Sequence, residues 1–135
     1  MNELTIDATV NNIEAVTSFV EEKLAPFHLP VKSQRQINVA IDELFGNIAL
    51  YAYNPDKGMA VVRVEFGDDP PSVTITFIDR GTPYDPLARP DPDVTLSAEQ
   101  RKIGGLGIYM VKKSMDDVSY EYRDGQNILR ITKNI

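Results

Sequence analysis

The chain has 135 residues, 42% hydrophobic and 25% charged, as expected of one domain (1–135) large enough to bury a core. Its net charge of −6, with 14 basic residues scattered along the chain, argues against a nucleic-acid surface. The lack of cysteine excludes a disulfide framework, and His28 alone cannot build a structural zinc site. No signal peptide and no apolar run of membrane-spanning length is visible, so a cytoplasmic protein is expected.

Leu4 to Thr9 reads as a short opening strand. Asn11 and Asn12 then offer N-cap chemistry for a helix to about Phe27, with Ile13, Val16, Val20 and Leu24 at helical spacing. A second helix starts near Lys32–Ser33, with Ser33 as its cap. It carries Ile37, Ile41, Leu44, Ile48 and Ala52 on one stripe and stops at Asn54–Gly58. Val61–Phe66 and Val73–Ile78 are β-branched strands around a proline-rich turn, Gly67–Pro71. Arg80–Ile103 has no sustained periodicity and holds four of the nine prolines, with Ser97–Arg101 as a short helix inside it.

Gly105 to about Met115 reads as a third helix. A hairpin follows, Val118–Arg123 and Ile128–Thr132, across Asp124-Gly-Gln-Asn127. Val118, Tyr120 and Tyr122 should face the core from the first of these strands, and Leu129 and Ile131 from the second. The sum is an α+β fold, a two-layer α/β sandwich. Its sheet is mixed but mainly antiparallel, with helices on one face.

Three separated segments carry chemistry. In the second helix, Glu43 and Asn47 lie about 40° apart around the axis and roughly 6 Å apart along it, at the border of the apolar stripe. An amide oxygen such as that of Asn47 suits Mg²⁺, which takes its other ligands from water and phosphates. A carboxylate one turn away can orient a hydroxyl for attack on a phosphoryl group. Asp79, at a strand end before Arg80-Gly81, can accept from an exocyclic amine, while Gly81 lets backbone approach a flat ring. Gly104-Gly105-Leu106-Gly107 opens a helix whose N–H groups can receive an anion, and Arg101 and Lys102 precede it.

Each segment also has a plain structural reading: a polar helix edge, a turn after a strand, a hinge. Together they indicate a pocket for ATP and Mg²⁺. Neither a Walker lysine nor a strand-borne dinucleotide fingerprint is present. Tyr51, Tyr53, Tyr120 and Tyr122 read as packing residues.

In this order the segments resemble the GHKL, or Bergerat, ATP-binding fold shared by histidine kinases, gyrase-type enzymes and the bacterial anti-sigma-factor serine kinases. Ile41-Asp-Glu43-Leu-Phe-Gly-Asn47 resembles the N box, and Asp79-Arg-Gly81 and Gly104-Gly-Leu-Gly107 the two glycine boxes. Asp79-Arg-Gly-Thr-Pro-Tyr-Asp-Pro-Leu87, Gly104 to Val111 and Met115-Asp-Asp-Val-Ser-Tyr120 bring the likeness closest to the anti-sigma kinase branch. Gly46 stands where that branch often has threonine, and Tyr51 where related N boxes often have histidine.

The resemblance implies Mg²⁺ held by Asn47, Glu43 as general base and the adenine amine on Asp79. Gly104, Gly105, Leu106 and Gly107 would close over the phosphates as part of a lid, and Thr132 on the last strand would assist at the base; beside them Gly81 would lie against the ring and Lys102 would reach the phosphates. It also implies a serine/threonine kinase that phosphorylates a STAS-type anti-sigma-factor antagonist and engages a sigma factor, a homodimer being compatible with the family. Neither nucleic acid nor a membrane is an expected partner. Two alternatives remain: a non-catalytic module that binds its partner when ATP is present, and a histidine-kinase catalytic domain.

Overall fold

The computed structural model describes residues 2–88 and 106–135. In chain order it contains β1 (Asn2–Asp7), α1 (Ile13–Leu24), α2 (Val31–Asn47), β2 (Met59–Asp68), β3 (Pro71–Asp79), α3 (Leu106–Ser114), β4 (Asp117–Arg123) and β5 (Gln126–Asn134). The strands form one sheet in the order β1-β2-β3-β5-β4, and every neighbouring pair is antiparallel. The α+β architecture expected from the sequence is present, with no parallel pair among the described strands.

Alternation within the strands decides which side of the sheet the helices cover. Val62 and Val64 of β2, Val73, Ile75 and Phe77 of β3, and Leu129 and Ile131 of β5 all enter one apolar cluster. Val16, Val20 and Leu24 of α1, Ile37, Ile41 and Leu44 of α2, and Ile108 and Val111 of α3 complete it. Each such side chain contributes about 1.5–3 kcal/mol on leaving water, so the stripe along α2 holds the site-bearing helix rigidly against β3.

The helix starts differ from expectation. Asn12 occupies the α1 cap position in a helical conformation, and its Nδ2 donates to the Asp7 carbonyl at 2.9 Å instead of capping. Helix α2 begins at Val31 after an extended Pro30, whose carbonyl accepts from Gln34 N at 3.1 Å; Ser33 is already inside the helix. At its other end α2 continues as a π-helical turn, Ile48–Ala52. Such widened turns recur at functional sites.

The last hairpin turns on two residues alone, Asp124 and Gly125, with φ of 55° and 77°. Two consecutive left-handed residues fit the tight turn of a twisted hairpin. Gln126 and Asn127 therefore belong to β5, and Asn127 pairs with Asp79 of β3. Tyr122 does not reach the core: near the tip of the edge strand β4 it remains 47% exposed. Val118 and Tyr120 pack against the core as expected.

Candidate nucleotide site

A cavity of about 230 Å³ opens between α2 and the C-terminal end of β3. Leu44, Asn47, Ile48, Tyr51 and Ala52 form one wall, with Phe77 and Asp79 at the base. Thr82, Pro83, Tyr84 and Pro86 form a flank, and Tyr120, Asn127 and Leu129 close the far side. The lining is chiefly apolar with a few convergent polar groups, the pattern of a small-molecule site. The widened turn after Asn47 supplies Ile48, Tyr51 and Ala52 to this wall.

Asp79 is 6% exposed. Its Oδ1 accepts from the Gly81 N–H and from Asn127 Nδ2, each at 2.9 Å. Burial pushes its carboxyl above the ordinary carboxylate value, and the bonds from Asn127 and Gly81 pull it part of the way back. Among the described residues nothing donates to Oδ2, which leaves that oxygen for a ligand donor.

Asn127 was absent from the residues expected at the site. It is 6% exposed, and its Nδ2 also faces the carbonyls of Thr82 at 3.0 Å and Gly81 at 3.4 Å. Its Oδ1 accepts from Tyr84 N at 3.2 Å and from the Tyr120 hydroxyl. The backbone N–H of Tyr84 can only donate, so the amide orientation is settled by the network. Burial also raises the Tyr120 hydroxyl above its usual value, opposed by its link to the Tyr84 backbone and reinforced by Asp85, Asp79 and Tyr122. One side chain thus ties β5 and β4 to Asp79 and to the segment that follows it.

Asn47 lines the cavity, and its carboxamide has no hydrogen-bond partner among the described residues. A neutral amide oxygen at the cavity wall could serve Mg²⁺, which needs few protein ligands. No cluster of three or more His, Asp or Glu side chains among the described residues offers an all-protein metal cage. Glu43 lies outside the lining. Its carboxylate sits against Gly107 in the first turn of α3, where any Cβ would overlap it. A carboxylate is favourable at that end of a helix.

Gly81 and Thr132 stand outside the cavity lining. Gly81 does permit a close approach, but to protein: a Cβ there would overlap the Ala52 carbonyl, which accepts from Thr82 N at 2.8 Å. Gly81 does not line the cavity. Thr132 points to the sheet face opposite Asn127 and Leu129, and its hydroxyl shares a hydrogen bond with that of Thr74 at 3.0 Å. Strand alternation puts Asn127 at the cavity in its place. Arg101, Lys102, Gly104, Gly105 and the Ser97–Arg101 helix lie outside the described residues; Leu106 opens α3.

Residues 6–133 match the model of the histidine kinase-like ATPase domain. The chain belongs to that family. The ATPase domain is 28% identical over 98 residues to the serine/threonine-protein kinase BtrW of Bordetella bronchiseptica, covering 73% of this chain and 68% of the relative. It is 30% identical over 103 residues to the serine-protein kinase RsbW of Listeria monocytogenes, covering 73% of this chain and 64% of the relative. The alignments thus leave about a third of each relative's length unmatched. A crystal structure of the RsbU and RsbW domains of a Mycobacterium tuberculosis protein superposes with a TM-score of 0.65 at 22% identity. It covers 99% of this chain and 32% of that one, and supports the fold. Membership in this family implies ATP as the nucleotide, and the named relatives are protein kinases.

Proposed function

We propose that the ATPase domain is a Mg-ATP-dependent serine/threonine kinase of the anti-sigma-factor type, acting in the cytoplasm on a STAS-type antagonist. A sigma factor as second ligand and a homodimeric assembly belong to the same reading. The observation that supports it most is the line Glu43–Asn47–cavity–Asp79, which connects a carboxylate outside the cavity to an acceptor at its base.

The Asp79 carboxylate accepts from the adenine amine through Oδ2, while Asn127 and the Gly81 N–H hold Oδ1. Tyr51, Tyr84 and Leu129 line the pocket beside the ring. Asn47 would hold Mg²⁺, which when bound would supply charge neutralisation to the phosphate chain. Glu43, one turn nearer α3, takes the proton of the partner's hydroxyl. The hydroxyl oxygen bonds to the γ-phosphorus as the bond to the β-bridging oxygen breaks, and ADP leaves.

A second reading, a non-catalytic module that binds its partner when ATP is present, draws on the packing of Glu43 against Gly107. One variant separates the two. Glu43→Gln should retain Mg-ATP affinity by calorimetry and lose radiolabelled transfer to the antagonist by about 10²–10⁴-fold. Transfer at the wild-type rate by this variant would leave Glu43 without a catalytic role. Absence of transfer from the wild type would favour the binding module.

A further inference from the structure

Purine bases differ in the group at position 6, so the state of the acceptor that meets it decides which of them the cavity favours. Asp79 ends β3, and two donors converge on its Oδ1. One is local: the Gly81 N–H, two residues on, closes a turn on the carboxyl at 2.9 Å. The other comes from β5, where the register sets Asn127 opposite Asp79 and brings its Nδ2 to 2.9 Å. With both donors on one oxygen, Oδ2 is left as the acceptor that a 6-amino group requires.

Asn127 has no polar group left for a ligand. Its Oδ1 accepts from the Tyr84 N–H at 3.2 Å and from the Tyr120 hydroxyl. Its Nδ2 donates to Asp79 and to the Thr82 carbonyl at 3.0 Å, with the Gly81 carbonyl at 3.4 Å beside it. A carboxamide has two hydrogens to donate and two lone pairs to accept with, so this one is saturated. Any effect of Asn127 on a nucleotide must therefore pass through Asp79 or through the backbone of 81–84 that it grips. Burial drives the Asp79 carboxyl toward its protonated form, and the Asn127 bond opposes this more than the Gly81 N–H does. Withdrawing Nδ2 leaves a carboxyl held by one donor, readier to take a proton and free to turn. A protonated Asp79 presents O–H where an amine presents N–H.

We infer that Asn127 is the positioning residue for purine selectivity: it holds Asp79 with Oδ2 presented to a 6-amino group, so the preference for 6-aminopurine nucleotides depends on a side chain that makes no hydrogen bond to the base. The inference rests on the nucleotide reading of the cavity.

The test is a double cycle between Asn127 and the amine. Calorimetry on the intact chain with Mg²⁺ reads Kd for ATP and for purine riboside triphosphate, which carries hydrogen in place of the 6-amino group. Wild type should favour ATP by about tenfold or more. Asn127→Ala should lose that preference, the ratio falling to within about twofold of one, with the Kd of the analogue moving less than that of ATP. Asn127→Ser keeps a hydroxyl donor on the strand and should hold an intermediate ratio; it carries the comparison should the alanine variant not fold. Tyr120→Phe loosens the Oδ1 end, leaves the Nδ2 donor, and should weaken both nucleotides alike. Equal weakening of both nucleotides in the Asn127 variants, with the preference intact, would make Asn127 a packing residue and overturn the inference. So would a ratio in Tyr120→Phe as low as in Asn127→Ala, which would give selectivity to the shape of the wall. Wild type that binds both nucleotides equally would take Asp79 off the amine and this role with it, leaving nucleotide binding in place. Wild type that binds neither would sink the nucleotide reading itself and the inference with it.

Discussion

Burial of the Asp79 carboxyl at the end of β3 penalises its charged form, and the bonds from Asn127 and Gly81 offset only part of that. An acid whose pKa is raised by folding holds its proton more tightly in the native state. Its stabilising contribution is complete below the unfolded value near 3.8 and is lost as pH rises through the raised native value. Asp79→Asn keeps an Oδ1 for both donors and removes the titration. The variant should therefore gain on wild type in urea midpoint from about pH 4 upward, the gap levelling off above the native value. It should also lose ATP affinity by about tenfold or more, because Oδ2 becomes a donor facing a donor. Undiminished affinity would remove Asp79 from the base-binding role. Asn127 is the complementary lesson. Its importance comes from standing opposite Asp79 across two strands distant in sequence, and its place on β5 depends on a turn of two residues where four were expected.

At the scale of elements, apolar spacing along α1 and α2 and β-branched content in β2 and β3 made the layers legible, because each is a local signal of period 3.6 or 2. The Glu43/Asn47 spacing was legible for the same reason. The widened turn at Ile48–Ala52 was not, since Ile48-Ala-Leu-Tyr-Ala52 also suits an ordinary helix and the extra residue per turn is settled by packing. That turn brings the Ala52 carbonyl onto Gly81, so the glycine allows two elements to meet. The obstructing atom is backbone and cannot swing aside. Gly81→Ala should cost about 1–3 kcal/mol in denaturant unfolding and weaken ATP by displacing the N–H that holds Asp79. Wild-type stability in this variant would show that the strand end and the π turn move apart freely.

Across the whole molecule, β3 and α2 supply the cavity from opposite layers, Asp79 in the sheet and Asn47 on the helix. A ligand that spans them must bind the native state alone, since unfolding separates residues 32 positions apart in sequence (79 − 47). Linkage then adds about 2.7 kcal/mol at a hundredfold excess over Kd, a rise in Tm on the order of 10 °C for a domain of this size. Asn47 should account for the metal-dependent share of that rise. With Mg-ATP, Asn47→Ala should show a smaller shift than wild type in differential scanning calorimetry. With ATP and a chelator the two proteins should coincide, because the base end of the site is unaltered. If the variant lost the chelator-insensitive shift as well, Asn47 would be holding the cavity wall in shape. If it kept the full Mg-ATP shift, the metal would be held elsewhere, and the helix would serve the site through Glu43 and its apolar stripe alone.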